Sequence, residues 1–279
     1  NTGGDSNVFI GFKSGIKSAN ADKNVFIGLE SGSENTTGEN NVFIGSETGA
    51  KNVGGTNNVF IGKETGKQNT GGANNTFVGS TAGFNNSARD NTYVGFKSGF
   101  WSSNADASQN TYVGYETGLN NTTGAQNTYV GYQAGKDNTD GSGNTSVGHD
   151  AQATGTDSIA IGKTTTASGT NSISIGTIND IDNDNAVAIG KGTNTSGTSA
   201  VSIGNSSTSA QDGVAIGNNA DASTNAVAIG INTDASANGV AIGNTAYVIN
   251  DSGVAIGKNS TTEWDSCLLY TSDAADDTP

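Results

Sequence analysis

The 279-residue sequence has no methionine, one proline, one cysteine, one histidine and four leucines, Leu29, Leu119, Leu268 and Leu269. Leucine is normally among the commonest residues. A packed helical or α/β core is hard to build without it, so both classes are excluded. Charged residues make up only 14%, which argues against a charge-driven disordered chain. Glycine without a three-residue period and with almost no proline is not collagen. No apolar run approaches the roughly 18 residues of a membrane-spanning helix. The missing initiator reads as a fragment or a processed chain. What is present is 42 glycines, and with them a β architecture rich in turns.

A short β-type run ending in Ile-Gly or Val-Gly recurs 17 times, from Gly11 to Gly257. The spacing is mostly 17 residues up to Gly148 and 13–14 after it. A period of this length holds two short strands and two turns but no helix, and such coils stack at about 4.8 Å. Each coil buries little by itself, so stability is a nearest-neighbour sum. The expected organisation is a first solenoid over 1–148, a second over 149–262, and a non-solenoid tail over 263–279. Within that tail, 267–277 reads as translation of a sequencing adapter. It shares no pattern with the repeats, and native sequence then ends near Ser266 with no native cysteine.

Positions are counted from the recurrent glycine. Position −1 is Ile or Val in every copy, and −3 is Val, Ile or Thr. Two residues apart, they share one strand face, and their β-branched side chains suit a pleated surface. This pair is expected to form the buried face of each coil. Position −2 points the other way. It is Phe9, Phe26, Phe43, Phe60, Phe77, Tyr93, Tyr112 and Tyr129, then only Ser or Ala from Ser146 onward. An exposed aromatic column of that length exceeds what a monomer tolerates. These eight aromatics are therefore expected at the interface with copies of the same chain. A reversed arrangement, with −2 inside and −1 and −3 outside, is the alternative.

Position −4 is Asn in all nine copies of the long-period repeat, Asn7 to Asn144. Stacked Asn side chains satisfy backbone groups at a repeated corner. The recurrent glycine marks a place where a Cβ would obstruct, and a second glycine follows at +4, from Gly15 to Gly135.

The short-period repeat, as in Ser158-Ile-Ala-Ile-Gly162, Asn225-Ala-Val-Ala-Ile-Gly230 and the Ala220/Ala222 pair, resembles the head repeats of YadA-type trimeric autotransporter adhesins over about residues 144–260. The long-period repeat looks like a relative also met in phage tail-fibre-like proteins. The resemblance implies a left-handed parallel β-roll, all-β, of about 17 coils. It also implies three chains per head, and display on a bacterial surface through an outer-membrane anchor, or on a virion fibre. The implied function is adhesion to a matrix protein, glycan or cell-surface receptor, without catalysis. The rivals are a fibre shaft or receptor-binding segment of a phage, an ice-binding solenoid using the Thr76–Thr145 column, and a passive spacer.

Chemistry-bearing residues are few. His149 has no second His or Cys near it in sequence, and no triad or phosphate-binding motif can be assembled. No cofactor is expected. Asp180, Asp182 and Asp184 form a weak cation candidate, because the segment lacks the sixth-position Gly and twelfth-position Glu of a calcium loop. The longest interval, 19 residues from Gly95 to Gly114, carries Phe100 and Trp101, an aromatic pair on a loop and the candidate ligand-binding spot. The formal net charge of −14 argues against nucleic acid as a partner.

Overall fold

The computed structural model describes residues 4–102, 104, 106–262 and, for the backbone alone, 268–270. It is all-β, with no helix among the described residues. The chain divides into two compact units, Asn1–Thr154 and Gly155–Pro279, a few residues beyond the expected boundary.

The first unit stacks nine three-residue strands: Val8–Ile10, Val25–Ile27, Val42–Ile44, Val59–Ile61, Thr76–Val78, Thr92–Val94, Thr111–Val113, Thr128–Val130 and Thr145–Val147. Neighbours pair parallel and in register with the repeat, so Phe26 faces Phe43 and Tyr112 faces Tyr129. Only Gln152–Ala153 adds a second strand here. The remainder of each coil is turn, held by rung-to-rung backbone hydrogen bonds such as Gly49 N–H to Thr65 O at 2.9 Å.

The second unit has the expected two strands per coil. The longer ones run from Ile159–Lys163 to Val254–Ile256 and the shorter ones from Thr166–Ala167 to Thr261–Thr262, each set forming parallel pairs. Leu268–Tyr270 pairs parallel with Val254–Ile256. Part of the expected non-solenoid tail thus adds one more rung, for about 18 turns in all. The rest of the expected adapter segment lies outside the described residues.

The side-chain polarity of the strands corrects the sequence reading. The aromatic column is inside the coil. Phe26, Phe43, Phe60, Phe77, Tyr93, Tyr112 and Tyr129 are all 0% exposed within a single chain, and Phe9 at the first rung is half-buried. They are core residues, not an interface with other copies. Their rings stack face to face with centroids 4.7–5.0 Å apart, from Phe9 through to Tyr129. The −1 and −3 columns point outward instead.

Two features permit this. A coil closed on one strand and a turn is narrow, and one ring per rung fills it. The +4 glycine lies directly against that ring: a Cβ on Gly15 would meet Phe9 at 2.7 Å. In the shorter coils less space is enclosed. Position −2 is accordingly Ala or Ser, packed against small inward residues such as Ala222 and Ala235.

The corner glycines hold φ near +135°, and a Cβ on Gly62 would stand 2.7 Å from the carbonyl oxygen of Gly79 one rung on. The −4 asparagines are buried from Asn24 to Asn144, with Asn7 at the first rung half-buried, and form the expected ladder. The backbone N–H of Asn41 donates to Asn24 Oδ1 at 2.9 Å, and Asn41 Nδ2 donates to Gly55 O at 2.8 Å. A second inward ladder at +7, with Asn35, Asn52, Asn121 and Asn138, was not anticipated. Asn121 illustrates it, closing a turn by donating to Gly124 O at 2.7 Å and accepting from Gly124 N–H at 2.9 Å. The recurrent Asn-Thr-x-Gly and Asn-x-Gly-Gly turns were the available signal.

Candidate functional site

The surface these coils present is built from three outward columns. The −1 column, with Ile44, Ile61, Val94, Val113 and Val130, is 36–38% exposed at those positions. The −3 column runs beside it. At Thr76, Thr92, Thr111 and Thr128 it is exposed, and its outward strand partners are the −1 valines. The aromatic residue between them faces inward.

Around the corner glycine, position +1 adds a third column that sequence reasoning missed. Phe96, Tyr115, Tyr132 and His149 stack outside the coil, with centroids 5.3, 5.1 and 4.9 Å apart. Consecutive aromatics immediately after the corner glycine were the signal. Polar groups flank the ladder: Lys97 Nζ lies 5.2 Å from the Phe96 centroid, Gln133 donates to Glu116 at 2.8 Å, and His149 Nδ1 lies 2.9 Å from Asp150. His149 is therefore the last ring of a stack. The valine and aromatic columns are both exposed, Val94, Val113 and Val130 at 36–38% and Phe96, Tyr115 and Tyr132 at 40–45%, and exposed apolar surface repeated in this way is characteristic of interaction surfaces.

The expected ligand pair sits elsewhere on the same coil. Phe100 is half-buried and stacks on Phe84 at 4.9 Å; Trp101 stands edge-on to Phe100 at 4.8 Å and 77°. The indole is 48% exposed.

The weak cation candidate does not assemble. Among the described residues no three His, Cys, Asp or Glu side chains gather into a metal-holding group. Asp184 instead accepts the Thr170 N–H at 2.7 Å. The Asp180 carboxyl is raised above its ordinary pKa, first by burial and then by the charge of Asp182.

Electrostatics elsewhere serve the stack. Lys67 bridges Glu47 and Glu64, and its ammonium pKa is raised, chiefly by the Glu47 hydrogen bond, against an opposing effect of burial. Lys13–Glu30 and Lys17–Glu34 are exposed pairs between adjacent rungs, worth little each.

Stacked coils with an inward core and outward columns within each unit define a parallel β-solenoid repeat protein. The YadA head domain repeat matches residues 145–165, 153–177, 182–207 and 237–260. A solved structure, the collagen-binding domain of the Yersinia adhesin YadA, is similar at 38% identity over 44% of this chain and 71% of that one, with a TM-score of 0.43. No curated protein matches the chain. Between residues 145 and 260 the chain carries YadA-like head repeats, an assignment that rests on the repeat sequence.

Proposed function

We propose that this chain is the non-enzymatic head of a trimeric adhesin displayed on a bacterial surface. Its outward −1 and −3 columns form the seam between three copies, and its remaining faces attach to a matrix protein such as collagen. The observation that carries the reading is the outward Ile and Val column at −1, repeated rung after rung within each unit of a chain bearing YadA head repeats. Adhesion suits such a scaffold, because a solenoid offers an extended surface with many equivalent contacts. Burying that column between copies removes it from water at about 25 cal/mol per Å². Each valine or isoleucine contributes little, and the summed column is large.

The test is light scattering on the purified chain, paired with binding to immobilised fibrillar collagen. A three-chain mass and saturable binding are expected. A monodisperse 27.8 kDa species at micromolar concentration would overturn the trimer, and a three-chain particle that ignores collagen would overturn the ligand.

A further inference from the structure

The sixth position after each corner glycine in the first unit is polar on either side of Trp101: Lys51, Gln68 and Asn85 before it, Asn120 and Asp137 after it. Trp101 alone among these positions carries an indole, and its backbone keeps the ladder. Its backbone N–H donates to Leu119 O at 3.1 Å. The rungs on either side repeat that bond, from Asn85 N–H to Phe100 O at 3.1 Å and from Asn120 N–H to Lys136 O at 3.2 Å. The backbones of Asn85 and Asn120 therefore flank that of Trp101 at about one ladder spacing, roughly 4.8 Å, on each side.

Phe100, itself stacked on Phe84, packs edge-to-face with the indole. The segment that follows is where the repeat lengthens to 19 residues. There Asn104 and Asp106 are exposed; Asn104 Oδ1 accepts the Asp106 N–H at 3.1 Å, and Ala107 N–H donates to Asn104 O at 3.1 Å. Ala107 is buried.

We infer that Trp101, with Asn85, Asn120, Asn104 and Asp106 around it, is a binding site for an uncharged pyranose of a glycan. The inference deepens the adhesin reading and rests on it. A sugar ring has one apolar C–H face, which covers an indole, and a rim of hydroxyls, which amide and carboxylate groups satisfy. An extended apolar partner, including a second copy of this chain, would cover the indole but strand the neighbouring amides, and unpaired buried polar groups are costly. The proposed seam differs, with Ile or Val in register at −1 on every rung. The chain's net charge of −14 and the adjacent Asp106 disfavour sialylated or sulfated sugars.

The experiment uses the full chain and immobilised cellobiose, lactose, mannobiose and diacetylchitobiose, with sialyllactose as the charged comparison. Binding to at least one neutral disaccharide is expected, weakened tenfold or more by Trp101→Ala and less by Trp101→Phe, with the light-scattering mass unchanged. Absence of neutral-sugar binding, equal binding by Trp101→Ala, or a fall in particle mass on that substitution would each overturn the site. If sugar binding fails while collagen binding persists, the inference fails and the adhesin reading stands. If both fail, the adhesin reading falls with it.

Discussion

The hydroxyl of Tyr112 accepts a hydrogen bond from Asn121 Nδ2 at 2.6 Å inside the coil, nine residues ahead. It is one of three buried phenols, with Tyr93 and Tyr129, whose pKa burial pushes well up. Their folded-state values lie above the unfolded value near 10. The stability linked to them is fully present below about pH 10 and is lost as pH rises beyond it, because the unfolded chain ionises first. Melting of the first unit should fall steeply above about pH 10, and the triple variant Tyr93→Phe, Tyr112→Phe, Tyr129→Phe should flatten that fall. Thermal melts followed by circular dichroism at pH 7 to 11 check it, and equal alkaline sensitivity in the variant would contradict it.

Gly118 sits against the Tyr112 ring with φ +55°. Gly118→Ala combines left-handed backbone strain of about 1–2 kcal/mol with overpacking of about 1–3 kcal/mol. A loss of several kcal/mol in urea unfolding is expected. Gly71→Ala is the control: a Cβ there meets nothing within 4 Å, so its effect should stay within about 0.5 kcal/mol.

Asn58 ties three rungs together. Its N–H donates to Asn41 Oδ1 at 3.0 Å, its Oδ1 accepts from Asn75 N–H at 3.0 Å, and its Nδ2 donates to Gly72 O at 2.8 Å. Asn58→Ala strands the Asn75 N–H and the Gly72 carbonyl, each at about 1–3 kcal/mol. Asn58→Asp keeps the acceptor but places a carboxylate against a carbonyl in a buried stack. It should destabilise more at pH 7 than at pH 4, where protonation restores a donor. Unfolding midpoints at the two pH values decide between these outcomes.

Adjacent residues should fail in opposite ways. Phe60→Ala empties the core of one coil and should cost about 3–5 kcal/mol, visible as a lower unfolding midpoint. Ile61→Glu lies on the outward strip and should leave the coil folded, while shifting the scattering mass toward a single chain. A three-chain mass retained by Ile61→Glu would remove that column from the seam.

Much of the scaffold was legible in the repeat. Gly28 and Gly62 are corners because the next rung's carbonyl occupies the space of a Cβ. Asn41 and Asn58 form a ladder because identical side chains recur at one coil position. Trp101 stood out through the lengthened interval. The Phe96–Tyr115–Tyr132–His149 ladder did not, since position +1 is Leu29, Ser46, Lys63 and Ser80 on the four preceding rungs and becomes a run of aromatics only from Phe96 onward. The Asn121 ladder likewise needed the coil's cross-section before its partner, the Tyr112 hydroxyl, became visible.

The sequence by itself determined the β class, the repeat, the rung positions and the change of period at Gly148. A strand's alternation defines two faces, but when both are apolar it does not say which one turns inward. That was decided by closure of the coil. The long-period coil encloses room for one ring per rung against the +4 glycine, and the short-period coil encloses room only for Ala, Ser and similar residues. The aliphatic columns were left outside, where they are available to other chains.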